Sequence, residues 1–113
     1  MPREADVIVQ VHFKGVEHDR ELHELLEKRC QVLAEEFHET DCYEISLSNE
    51  ANQISAHAKV TGKNTSVAAH ADAPEERQAA EAALDRLERE LRREHDKRIF
   101  APRREARRER SRR

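Results

Sequence analysis

Residues 42–71 read CYEISLSNEANQISAHAKVTGKNTSVAAHA, and three stretches of alternation run through them. Tyr43, Ile45 and Leu47 alternate with polar residues. After NEANQ, Ile54, Ala56, Ala58 and Val60 do the same, and after TGKN so do Val67, Ala69 and Ala71. A period of two puts successive side chains on opposite faces of a strand, so each stretch predicts a strand with one apolar face. The break TGKN holds a glycine and an asparagine, the usual hairpin residues. The segment therefore predicts an antiparallel meander of three strands.

Upstream, DVIVQVHF (6–13) places Val7, Val9, Val11 and Phe13 on one face and predicts a further strand. KGVEHD follows as a connector containing Gly15. Asp19 suits a helix N-cap, and Leu22, Leu25, Leu26, Cys30, Leu33 and Phe37 then recur at helical spacing, for about five turns at 3.6 residues each. HETD ends that helix. Downstream, Asp72 stands three residues before Glu75 with Pro74 between them, which predicts the start of a second helix. Ala80, Ala83, Leu84, Leu87 and Leu91 form its buried edge, and helix propensity stays high to about Arg98. IFAPRREARRERSRR (99–113) loses the periodicity, contains Pro102, and predicts a disordered basic tail over 101–113. The order is β-α-β-β-β-α. It predicts an α+β domain over residues 1–100 in which two helices pack on one face of a four-stranded sheet.

Composition narrows the function. The chain has 113 residues, 40% of them charged and 36% apolar, enough for one modest core. VIVQVHF is too short and too polar for a signal peptide, and no run approaches the roughly 18 apolar residues of a membrane span. Cys30 and Cys42 form no CxxC and no disulfide framework. Free thiols and a cytoplasmic location are expected, with Cys30 in a helix core and Cys42 at a strand entry.

The net charge of -3 hides an asymmetry. Residues 1–85 hold 8 Lys+Arg against 18 Asp+Glu, whereas residues 86–113 hold 13 against 6. Such segregation bears on partners rather than on fold. The C-terminal quarter is suited to a polyanion.

The residues that would carry catalysis are not arranged for it. The seven histidines are scattered without an HExxH or CxxC partner; His57 and His70 face each other across the meander, but two ligands do not close a tetrahedral site. Two glycines cannot build a phosphate-cradling loop. No serine, cysteine or lysine sits in a nucleophile context, and no pocket is evident to raise a carboxylate pKa. The expectation is a protein that is not an enzyme, with no metal and no cofactor.

One pattern survives that filter. In ALDRLERELRREHDKR (83–98), Arg86, Arg89, Arg93 and Lys97 follow steps of three, four and four. They line one helix face for roughly 16 Å, with Arg92 beside them. A solvated face laced with ion pairs to Glu90 and Glu94 would look the same locally. The cation-rich tail favours nucleic acid instead, because guanidinium groups are strong phosphate ligands and phosphates recur at ~7 Å along a strand. Aromatic residues are few and mostly in core phase, so backbone recognition of structured RNA fits better than base stacking.

With that order and the string LDRLERELRR, the chain resembles the ribosome hibernation-promoting factor family in its short form, also called the ribosome-associated inhibitor A or sigma-54 modulation protein family. The likeness covers about residues 6–98. The family's D-K-L-x-R-Q-L-x-K pattern is met by Asp85, Arg86, Leu87, Arg89, Glu90, Leu91 and Arg93, with Lys97 one turn on. Its first-helix pattern is met by Asp19, Leu22, Arg29, Cys30 and Leu33. The resemblance implies a fold related to double-stranded-RNA-binding domains. It also implies a factor that sits in the mRNA and tRNA groove of the small ribosomal subunit, contacts 16S rRNA, blocks translation and stabilises idle ribosomes under stress. By position, the implied RNA contacts are Lys28, Arg29, Arg86, Arg89, Arg92, Arg93 and Lys97. No small-molecule substrate or membrane is implied, and a monomer is expected off the ribosome.

The family's second basic position in the first helix is Val32 here, and its D-M-Y segment is Glu75, Glu76 and Arg77. Acidic residues (Glu21, Glu24, Glu27, Glu35, Glu36) crowd the first helix. The alternative is a divergent protein-interaction module of the same fold, using that acidic helix against a basic, non-ribosomal partner.

Overall fold

In the computed structural model the elements are β1 (Ile8–Lys14), α1 (Arg20–Glu36), β2 (Thr40–Glu50), β3 (Gln53–Gly62), β4 (Thr65–Ala73) and α2 (Glu76–Arg112). Residues 7–112 are described, with side chains over 7–97. The sheet order is β1-β2-β3-β4. The predicted meander is antiparallel throughout, whereas β1 runs parallel to β2. A parallel pair needs a crossover, and α1 supplies it.

Register turns the alternation into rows on one face. Val9–Tyr43–Val60–Val67, Val11–Ile45–Ala58–Ala69 and Phe13–Leu47–Ala56–Ala71 each cross all four strands. In the second and third rows the side chains shrink to alanine on β3 and β4, while the first ends in Val60 and Val67. The helices match that gradient. α1 lies over β1 and β2 with Leu22, Leu26, Cys30 and Leu33 buried, while α2 lies over β3 and β4 through Ala79, Ala80, Ala83, Leu84, Leu87 and Leu91. Small residues on both sides let α2 approach the sheet closely. Each leucine so buried contributes about 1.5–3 kcal/mol relative to an exposed one.

Local chemistry fixes the ends of α1. The Asp19 carboxylate accepts from the Leu22 N–H at 3.2 Å, the cap that the sequence predicts. At the other end the Phe37 N–H donates to the Leu33 carbonyl, and the Thr40 hydroxyl donates to the Phe37 carbonyl at 2.7 Å while accepting from Tyr43 Oη at 3.0 Å. Gly62 lies against this corner. A Cβ there would fall on the Glu39 carbonyl, so any other residue would push β3 away from the turn into β2.

Both ends of α2 depart from expectation. Asp72 does not cap the helix. It belongs to β4 and pairs with Ser55 of β3, and β4 runs to Ala73 because the residue before Pro74 prefers an extended backbone. The first helical bond comes from the Ala79 N–H to the Glu75 carbonyl. The backbone helix runs on to Arg112, past the loss of apolar period near Arg98 and through Pro102, in a segment otherwise rich in arginine, glutamate and alanine, which favour helix. The expected disordered basic tail over 101–113 lies outside the residues whose side chains are described.

Cys30 and Cys42 are both free. Burial pushes the Cys30 thiol up to about 12. No described helix is long and apolar enough to cross a membrane.

Candidate nucleic-acid interface

The buried edge of α2 divides its surface into two flanks. One faces α1 and carries Asp85, Glu88, Arg92 and His95; the other carries Arg86, Arg89, Arg93 and Lys97. The seven predicted site residues therefore do not form one patch.

On the α1 side, cations are matched by acids from the opposing helix. Arg29 Nη2 donates to Asp85 at 3.1 Å and approaches Glu88 at 3.6 Å. Arg92 is forked, donating through Nη1 to Glu36 at 2.7 Å and through Nη2 to Glu88 at 3.0 Å, with its guanidinium over the Phe37 ring. The Glu36 hydrogen bond, and then that of Glu88, raise the Arg92 pKa further. His95 Nδ1 meets Glu39 at 3.1 Å and sets its ring edge-on to Phe37. The pairs 29–85 and 36–92 are each 56 residues apart, the constant offset expected of two parallel helices in fixed register, and 39–95 continues it from the turn just after α1. These bonds clasp α1 to α2 above the apolar layer.

On the other flank the pairing is sparse and internal to the helix. Arg93 approaches Glu90 at 3.4 Å and Lys97 approaches Glu94 at 3.8 Å, both one turn away and both well exposed. Such pairs are worth roughly 0–1 kcal/mol and give way readily to a competing anion. Arg86 donates through Nη1 to the His70 carbonyl at 2.7 Å, a neutral partner that leaves its charge uncompensated. Arg89 is exposed and, among the described residues, has no acidic partner. Four cations thus face two acids along about 16 Å of helix. Lys28 is also exposed without an acidic partner among the described residues, on the outer ridge of α1. Beside it Val32 stands 61% exposed, lining a hollow of about 200 Å³ with Lys28, Arg29, Leu33, Glu36 and Glu88.

Sequence spacing located the stripe but missed the clasp. Glu36, Glu39, Asp85 and His95 act on residues 56 positions away and Glu88 on Arg29, and no local pattern signals that. The sheet's open face confirms one local inference: His57 and His70 stack with ring centroids 5.4 Å apart. Among the described residues, no group of three histidine, cysteine or acidic side chains is placed to hold a metal.

Comparison with known proteins places this geometry in context. Residues 9–99 match the family model described as sigma 54 modulation protein / S30EA ribosomal protein. No curated protein sequence matches the chain. Among solved structures, a ribosomal subunit interface protein from Coxiella burnetii superposes with a TM-score of 0.72 at 19% identity, covering 80% of this chain and 99% of that one. The N-terminal domain of Protein Y from Thermus thermophilus superposes with a TM-score of 0.66 at 19% identity, covering 77% of this chain and 97% of its own. At such identity the likeness shows a shared fold.

Proposed function

We propose, from the premise that this chain belongs to the sigma 54 modulation protein / S30EA ribosomal protein family, that it is a non-catalytic ribosome-binding factor of the cytoplasm. It occupies the mRNA and tRNA groove of the small subunit through contacts to 16S rRNA, so that translation stops and idle ribosomes are preserved. Occupation alone achieves this, and no bond needs to be made or broken.

The observation that carries the reading is the uncompensated flank of α2. Arg89 is open, the Arg86 charge is held only by a carbonyl, and Arg93 and Lys97 have weak pairs that a phosphate can replace. An α-helix keeps these four groups in one line, so they meet successive phosphates without prior ordering. In this reading Lys28 supplies a further contact from α1, and the basic residues of 101–113 extend the attraction beyond the domain. Arg29 and Arg92 reach RNA only by exchanging carboxylate for phosphate, and so contribute less than the stripe.

Sedimentation with 30S and 70S particles across a salt series tests this. Binding is expected to weaken with log K falling by about 0.7–0.9 per neutralised phosphate for each tenfold rise in salt. Absence of binding at low salt, or binding indifferent to salt, contradicts the proposal.

A further inference from the structure

The two edges of the sheet differ. At the β4 edge, α2 lies alongside and Arg86 occupies the His70 carbonyl. At the β1 edge, no strand or side chain hydrogen-bonds to the backbone from outside among the described residues. Such an edge presents a row of N–H and C=O groups ready to pair with another strand. Its side chains are also incompletely covered. Ile8 is 56% exposed, and Val7, Val9, Val11 and Phe13 are only half-buried although they point to the helix side.

Above this edge lies an open cleft of about 470 Å³, walled by Val9 of the strand and Val7 just before it, and by Glu24, Glu27, Lys28 and Gln31 of α1. Gln31 Oε1 is shut off from solvent and has no hydrogen-bond donor among the described residues. A buried acceptor without a donor is uncommon in a finished core. Of the carboxylates, Glu24 is only loosely engaged, meeting Arg20 at 3.8 Å, while Glu27 hydrogen-bonds His23 at 3.2 Å.

Charge decides the occupant. Two copies pairing β1 with β1 about a twofold axis would bring both α1 helices to one side of the joined sheet, with their acidic faces opposed. A basic strand has the opposite balance. We propose that the β1 edge docks an extended basic segment of another protein as a fifth strand. Its backbone pairs with Ile8–Lys14. On the helix side, lysine or arginine stems cover Val7 and Val9 while their charged heads reach Glu24 and Glu27. On the open face, an apolar residue covers Ile8.

The test uses a fluorescein-labelled nine-residue peptide alternating lysine and valine, titrated into the full chain. The same peptide with glutamate for lysine, and a version N-methylated at alternate residues, serve as comparisons. Amide chemical shifts are expected to move over residues 8–14 and 24–31. The lysine peptide is expected to bind at least about tenfold more tightly than either comparison, and Glu24→Lys with Glu27→Lys to remove that advantage in a chain of unchanged circular dichroism. No binding, shifts confined to other residues, or equal binding of the N-methylated peptide overturns the proposal. So does concentration-dependent dimerisation of the free chain through residues 8–14, which would make a second copy the occupant. The α2 flank plays no part here, so failure of this proposal leaves the ribosome reading standing, and the reverse holds too.

Discussion

On the flank of α2 that faces α1, Arg92 is forked between Glu36 and Glu88, while two turns of arginine on the other flank have only helix neighbours and a carbonyl for company. Both flanks look alike in the sequence, where each arginine has a glutamate within four residues. They differ because α1 brings a second set of carboxylates to one side and none to the other. Availability of a guanidinium is therefore a tertiary property. On the α1 side it is used to hold two helices in register. On the other side it is open to an anion from outside.

That contrast can be tested from its foundation outward. The largest effect belongs to the apolar edge on which both flanks rest. Leu91→Ala, at a fully buried position, is expected to cost about 2–5 kcal/mol. Thermal melting would register it as a fall of ~10 °C or more. Ribosome affinity measured well below the new melting temperature should change little, because no cation moves. A large affinity loss in a folded Leu91→Ala chain would mean that the core and the stripe are not separable.

Alkaline titration distinguishes core from flank differently. Guanidinium groups stay protonated through pH 12, so the arginine pairs persist there. Burial pushes Cys30 from 9.0 and Tyr43 from 10.0 to about 12 in the folded chain. Both acids ionise more readily when unfolded, so their contribution is intact below pH 9 and is lost as pH rises from 9 towards 12. Stability against urea should decline across that window. A flat profile to pH 12 would contradict the burial of these groups.

The smallest effects separate the flanks themselves. Asp85→Asn removes the 3.1 Å partner of Arg29 and should cost about 0.5 kcal/mol, or roughly 2–4 °C in melting temperature, without lowering ribosome affinity. Arg89→Ala should do the opposite. The melting temperature stays put, while affinity falls and the log K against log salt slope loses about 0.7–0.9. If both substitutions moved the same observable, the two flanks would be one surface.

The strands and the helix edges were legible because their physics is local. Alternation of Tyr43, Ile45 and Leu47, or helical spacing of Leu84, Leu87 and Leu91, follows from backbone geometry alone, and the Asp19 cap acts three residues away. Asp72 misled because its pairing with Ser55 in β3 outcompeted a good capping pattern. The parallel sense of β1 depends on how α1 crosses over, which no residue in β1 encodes. The stripe was legible as a spacing, yet its division from Arg92 and Arg29 rests on partners 56 residues away. Periodicity can place a charge on a face, but only packing says what that face meets.

The most direct test reverses the open flank and compares it with an equal change elsewhere. Arg86→Glu, Arg89→Glu and Arg93→Glu together alter the net charge as much as Arg107→Glu, Arg108→Glu and Arg110→Glu near the C-terminus. Circular dichroism must first show both triple variants folded, since new glutamates beside Glu90 and Glu94 repel one another along the helix. Affinity for 30S particles is then expected to fall at least about a hundredfold for the open-flank variant, consistent with losing three charge-assisted phosphate contacts, and far less for the variant at 107, 108 and 110. Equal losses would mean diffuse attraction to a basic C-terminal quarter, and the open flank of α2 would not be the interface.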